Sequence, residues 1–231
     1  MEGLQLFLDN FADWDSFVRI WPLLWQGLQL TVLLSIVTLP IAAAAGLLIA
    51  ILYSFHNKPV NVALLVWIDL FRSFPVLVLL ILIFYGLPFV GLKLPSFAAC
   101  VLALGAVLAA FATEIFWAAI QAVPQGQWDA ARSLGMGFLR ILFLIILPQA
   151  IRIAVPLLTN RAIAITKGTA LGTAVSLPEL LGRAQSSMAI AANPSPLTLA
   201  AAFYLLFFVP LVVASRWLEG LGSPKASRGH R

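Results

Sequence analysis

Gln125-Gly126-Gln127-Trp128-Asp129-Ala130-Ala131-Arg132-Ser133-Leu134-Gly135, followed by a run that ends in Leu147-Pro148-Gln149-Ala150, is one of the few polar, turn-rich interruptions in an apolar chain. Such a segment is too polar for hydrocarbon, so it lies where water or another polypeptide meets it. Trp128-Asp129-Ala130-Ala131 reads as a short helix with a small-residue face, Gly135 permits a tight turn, and a second helical stretch leads to Pro148. Alanines and a glycine let another backbone approach closely, which makes the segment a docking element. The alternative is an amphipathic loop lying on a membrane surface.

The surroundings decide for a membrane. Of 231 residues, 62% are hydrophobic and 10% charged, against roughly a quarter charged in soluble domains. Apolar runs reach the length of about 20 residues that a helix needs to cross some 30 Å of hydrocarbon. They lack the period-two alternation of a transmembrane barrel. The fold class is therefore an all-α integral membrane protein. The single cysteine, Cys100, lies in an apolar run, so there is no disulfide framework and the thiol reads as a small core residue. The net charge of +5 is spread over segment ends and the tail. It forms no clustered basic face for nucleic acid, and loop charges that orient helices account for it better.

Read in order, the chain is a single transmembrane domain over 1–231 with five spans, at about 23–52, 60–85, 96–122, 150–177 and 197–217. Residues 1–21 carry Glu2, Asp9, Asp13 and Asp15 against Arg19 and read as an acidic, non-cytoplasmic leader. Trp14, Trp21 and Trp25 mark an interfacial belt, and Ala42 to Gly46 gives the first span a small-residue face for helix contact. With the N-terminus outside, the loop with His56 and Lys58, the 124–148 segment with Arg132 and Arg140, and the basic tail 218–231 with Lys225, Arg228, His230 and Arg231 all fall on the cytoplasmic side.

Several spans carry polar groups that lipid does not tolerate. Asp69 and Arg72 stand three residues apart and can pair at the membrane edge. Glu114 sits well inside the third span and must face a polar cavity or a partner. Asn160, Arg161, Lys167 and Thr169 crowd the fourth span, which Pro148 and Pro156 interrupt, and together they indicate a helix bordering an aqueous path. Gly168 and Gly172 have GxxxG spacing, read either as helix packing or as part of that path. An intramembrane enzyme would need HExxH, paired membrane aspartates or Gly-x-Ser-x-Gly, and the sequence has none. His56 and His230 have no second histidine at ligand spacing.

Asp129-Ala130-Ala131, three residues, Gly135, nine residues, then Ile145-Ile146-Leu147-Pro148 resembles the EAA signature of type I ABC-transporter permeases of bacterial importers. Phe71-Arg72-Ser73-Phe74-Pro75, Tyr85-Gly86-Leu87-Pro88, Val123-Pro124-Gln125-Gly126-Gln127 and Leu147-Pro148-Gln149-Ala150 are similar to the polar amino-acid branch, which includes histidine, glutamine, glutamate, arginine and opine permeases. The resemblance implies an inner-membrane assembly of two permease subunits, identical or paralogous, a dimer of ATP-binding subunits and a periplasmic amino-acid-binding protein, with membrane lipid around the permease subunits. It implies that Gln127, Asp129, Ala130, Ala131 and Gly135 form the helix that docks to the ATPase. No GxxxxGK[ST] phosphate loop is present, so nothing in this chain could hydrolyse ATP itself; the resemblance implies a transport subunit that is no enzyme and holds no cofactor, with ATP and Mg bound by the partner.

The chain departs from the family pattern at two places. The usual glutamate of the docking helix is Asp129, which keeps the charge with a shorter reach. Where the family often reads Lys-Asp-Thr-Ser, this chain reads Lys167-Gly168-Thr169-Ala170, so a carboxylate is missing from the expected path. A buried cationic head needs a counter-charge, so the expected solute is an acidic, neutral polar or zwitterionic amino acid. Glu114 would meet an ammonium group, while Arg161 and Lys167 would meet a carboxylate, with Asn160, Gly168 and Thr169 along the same path. Two other readings stand beside this one: a subunit whose partner alone keeps the solute site, and an ATP-independent channel or structural membrane subunit.

Overall fold

The computed structural model describes residues 10–55 and 57–222. Glu2, Asp9, His56 and the basic residues of the tail lie outside the described residues. The described chain is helical throughout: α1 Trp14–Tyr53, α2 Lys58–Ser73, α3 Val76–Ile81, α4 Ser96–Ala122, α5 Gln125–Ser133, α6 Phe138–Ile141, α7 Leu147–Gly168, α8 Leu180–Ala191 and α9 Ser195–Gly222. Helices dominate because lipid offers no partner for a backbone N–H or C=O, and a helix satisfies both within itself.

Among the described residues, four stretches are long and apolar enough to cross a membrane: Trp14–Tyr53, Ser96–Ala122, Phe138–Val175 and Ser195–Trp217. The broken pair Lys58–Ser73 and Val76–Val90 raises the number to five if counted as one span. The apolar run expected as one helix over 60–85 therefore stops and restarts. Pro75 has ψ 123°, outside the helical range, and begins α3 as its N-cap; Ser73 and Phe74 end α2 because a residue before proline is pushed out of the helical region. The fourth span also differs from expectation. It begins at Phe138, with a π turn Leu142–Ile146 joining α6 to α7 and a 3₁₀ turn Thr169–Val175 closing it. Helix geometry thus continues through Pro148, where a kink or stop was expected.

The chain gathers into two compact units. The first takes the residues up to Pro40, Phe74–Ala106 and Ile163–Leu211. One of its cores is Leu34, Leu80, Ala99, Cys100, Ala103, Leu104, Val175 and Leu177, and a second packs Leu24, Leu180, Ala184, Ala200 and Phe203. Gly168 and Gly172 belong to this packing. A Cβ on Gly168 would stand 3.1 Å from Leu104, and one on Gly172 would stand 2.9 Å from Leu177 and 3.3 Å from the Cys100 Sγ. The GxxxG spacing is helix packing within the unit.

The second unit takes Ile41–Ser73, Val107–Ala162 and the chain from Val212. Ala50, Ala112, Phe116, Ile120, Ala131, Ile141, Leu142, Ile146 and Ala154 make its core. Its tightest approach is at Gly46, where a Cβ would fall 2.5 Å from the Ala112 Cβ and 2.9 Å from the Ala109 carbonyl oxygen. The small-residue face of α1 is thus spent on contact with α4.

Candidate functional site

Three charged side chains of the second unit collect around one ring. Arg72, at the end of α2, pairs with Glu114 of α4 at 3.0 Å. Its guanidinium also lies 5.3 Å from the centroid of Phe111, one turn before Glu114 on the same helix. Arg161 of α7 stacks on the same ring at 4.3 Å. An arginine plane over an aromatic face is attracted by the ring's quadrupole, and the attraction strengthens out of water. Phe111 therefore holds two cations in place while Glu114 neutralises one of them. The pairing expected between Asp69 and Arg72 is replaced by this arrangement, since the carboxylate of α4 meets the guanidinium directly.

Asp69 and Arg72 line a cavity of about 160 Å³ together with Glu114, Thr113, Tyr53 and Trp117. Such a volume suits a small solute, as about 150 Å³ is enough for a benzene-sized guest. The ion-pair side chains keep 33% and 49% of their exposure, so this carboxylate and guanidinium can reach a solute. Asn160 is engaged elsewhere in the unit, its Oδ1 accepting from the Ser215 hydroxyl at 3.1 Å.

The remaining residues expected on the path lie in the first unit. The Lys167 ammonium stands 5.6 Å from the ring of Phe208. Gly168 packs on Leu104, and Thr169 is buried with its hydroxyl donating to the Thr166 carbonyl at 2.6 Å. Glu114 and Arg161 are thus brought to one cluster, whereas Gly168 and Thr169 act as packing groups.

The docking segment is α5 and the turn after it. Pro124 starts the helix with ψ 134°. Gly135, at φ +76°, ends it in the left-handed region. The Gly135 N–H donates to the Arg132 carbonyl at 2.9 Å and the Met136 N–H to the Ala131 carbonyl at 3.2 Å. This pair of hydrogen bonds is the Schellman close that glycine favours. Ala131 is buried in the core and Trp128 stacks on Phe138 with ring centroids 6.0 Å apart, so this side seats the helix. Gln127, Asp129 and Ala130 face outward. The Asp129 carboxylate accepts from Gln125 at 3.4 Å and meets Arg132 at 3.5 Å, which holds it at the exposed surface.

A family model for the inner membrane component of binding-protein-dependent transport systems matches residues 42–224. The chain belongs to this family. The permease is similar to the L-cystine transport system permease protein TcyB of Bacillus subtilis (strain 168), with 34% identity over 78% of this chain and 77% of that one. It is similar to the probable glutamine ABC transporter permease protein GlnP of the same organism, with 31% identity over 85% and 92%. Among solved structures it resembles an amino acid ABC transporter crystallised with histidines, with TM-score 0.83, 32% identity and coverage of 91% of this chain and 99% of that one. The inward-facing MetNI methionine ABC transporter shares the fold, with TM-score 0.72 and 20% identity over 89% and 99%. The chain is thus a permease subunit of an ABC importer.

The permease also contains geometry that sequence reasoning missed. Phe111 looks like one apolar residue among many in α4, and only tertiary placement makes it a platform. Glu179, expected in a polar connection, is fully buried. It caps α8 by accepting from the N–H groups of Gly182 at 2.8 Å and Leu181 at 3.0 Å. Its Oε2 also accepts from Tyr204 at 3.0 Å and Thr31 at 3.4 Å. Burial outweighs these donors and pushes the carboxyl above its ordinary 4.5. The only sequence signal was an acidic residue just before the helical Leu180-Leu181-Gly182, where the positive end of the helix dipole favours negative charge; glutamate is not among the residues usually found at an N-cap. Among the described residues no group of three or more His, Cys, Asp or Glu could hold a metal.

Proposed function

We propose that this permease passes polar amino acids from a periplasmic binding protein to the cytoplasm, driven by ATP hydrolysed in a separate pair of subunits. The observation that carries the reading is the Arg72–Glu114 pair beside Arg161 on Phe111. An amino acid carries one ammonium and one carboxylate, the same two charges that the cluster already matches. Its ammonium can replace Arg72 at Glu114 while its carboxylate takes a freed guanidinium, so no charge is left unpaired in a low-dielectric setting. Glu114 and Asp69 together balance Arg72 and Arg161, so a zwitterion leaves the cluster neutral while a solute of net positive charge adds a cation with no carboxylate to spare, which disfavours lysine- or arginine-like solutes. The cystine and glutamine permeases among the relatives fit a polar amino-acid solute.

The N-terminus lies in the periplasm and the C-terminus in the cytoplasm, so α5 projects on the cytoplasmic side. There Gln127, Asp129, Ala130 and the Gly135 turn meet a groove of the ATP-binding subunit, with Ala131 fixing the helix from behind. ATP-driven closure of the partner subunits moves α5 as a rigid lever. The permease pair, made of two copies or of two related chains, then exchanges outward-facing for inward-facing states. The test is ATPase stimulation of the reconstituted complex by its binding protein across a panel of amino acids. Neutral polar, acidic or zwitterionic members should stimulate; stimulation by arginine, lysine or ornithine alone sinks the solute assignment, and passive conductance without any partner sinks the importer.

A further inference from the structure

Two π turns of five residues stand in the described chain, Leu82–Gly86 and Leu142–Ile146, and each is followed directly by Leu-Pro, at Leu87-Pro88 and Leu147-Pro148. The repetition has a chemical reason. Proline has no N–H, so Pro148 can bond neither the carbonyl of Leu144 in α register nor that of Phe143 in π register. Winding the helix one residue wider lets the Leu147 N–H reach back to the Leu142 carbonyl instead.

The two prolines lead into different structure. After Pro88 the chain leaves the helix through a 3₁₀ turn and Gly91 at φ +85°. After Pro148 the helix continues to Gly168. The residue after the first proline is Phe89, 92% exposed and without a side-chain donor. The residue after the second is Gln149, whose Nε2 donates to the Ile145 carbonyl at 2.8 Å. Ile145 is the residue four positions back, so the side-chain amide adds a bond across the break where the α ladder resumes.

We propose that Gln149 is a positioning residue for transport: its carboxamide closes the π break, so that α5 and the span beyond it move as one lever. The path is continuous in the second unit. Ala131 of α5 shares a core with Ile141, Leu142 and Ile146, which flank or form the π turn, and with Ala150 and Ala154 just past Gln149. Without the amide, motion of α5 is absorbed by widening of the turn at Leu142–Ile146. The proposal rests on α5 being the ATPase-facing lever.

The experiment compares Gln149→Met, which keeps length and removes the donor, with Gln149→Ser. A serine hydroxyl donates to the carbonyl four residues back, as Thr113 does to Ala109 and Thr159 to Val155 in this chain, both at 2.8 Å. In the reconstituted complex Q149M should assemble and hydrolyse ATP near the wild-type rate, while solute moved per ATP falls. Hydrogen exchange over 143–150 should accelerate roughly 2- to 10-fold, the size of one lost hydrogen bond. Q149S should restore both; where Q149M does not insert, Q149A takes its place. Unchanged transport per ATP in Q149M, or a Q149S as defective as Q149M, overturns the proposal. A wild-type complex that does not bind an ATPase overturns the lever reading instead, and the exchange comparison still decides the bond.

Discussion

Replacing Gly135 separates a backbone effect from a packing effect. The glycine has φ +76°, and a Cβ built on it meets no atom within 4 Å. Any cost therefore comes from the left-handed conformation alone, about 1–2 kcal/mol for an ordinary L-residue and less for asparagine, whose short side chain tolerates that region. That is roughly a 5- to 30-fold loss in occupancy of the closed turn. The bonds at risk are Gly135 N–H to Arg132 and Met136 N–H to Ala131, which fix the end of α5. The core residues beneath, Ala131, Ile141 and Leu142, are untouched. Gly135→Val should thus accelerate hydrogen exchange over 131–137 and weaken copurification with the ATP-binding subunit, with Gly135→Asn close to wild type and Gly135→Ala between. Thermal unfolding of the permease should move little in all three. Equal behaviour of asparagine and valine, or a general collapse of the fold, would refute the reasoning.

Other changes have equally definite outcomes. Gly46→Val places a branched side chain where even a Cβ falls 2.5 Å from Ala112; it should lower detergent stability by at least the roughly 1–3 kcal/mol typical of overpacking, read as a drop in Tm. Glu114→Gln leaves Arg72 without its carboxylate and should raise the apparent KM for uptake about 10- to 100-fold, as loss of a charged hydrogen bond implies. Because burial raises the Glu179 carboxyl above 4.5, the folded state holds its proton more tightly than the unfolded chain. The stabilisation from that group is complete below 4.5 and is lost as pH rises through the raised value. Melting temperature should therefore carry a component that falls with rising pH above 4.5, and Glu179→Gln should remove it.

The sequence made some of this legible because the relevant physics is local. Apolar length identifies spans whatever packs against them, and Gly135 marks a left-handed turn because few residues other than glycine take that conformation without cost. Pro124 and Pro75 announce helix starts for the same kind of reason. Features set by tertiary placement were out of reach. The partner of Arg72 looked local, as Asp69 on its own helix, yet an α4 carboxylate more than forty residues away in sequence reaches it at 3.0 Å. Phe111 becomes a cation platform only when α2 and α7 bring Arg72 and Arg161 to its faces. Pro148 signals a stop by itself, yet the helix continues past it through a π turn, with a bond from the Gln149 side chain to the Ile145 carbonyl, and no propensity encodes either. Thr169 looked like a path residue from its polarity, whereas its hydroxyl is satisfied one turn back within the helix.

Coupling of ATP hydrolysis to passage of an amino acid through this chain is what the whole reading stands on. It can be measured as uptake of radiolabelled glutamine, cystine or glutamate into proteoliposomes holding the permease, its ATP-binding subunits and the cognate binding protein. Uptake should run against a gradient, require both ATP and the binding protein, and fall in Glu114→Gln at solute concentrations below the raised KM. Uptake that proceeds down a gradient without ATP, or that persists undiminished in Glu114→Gln for every amino acid tried, would contradict that coupling.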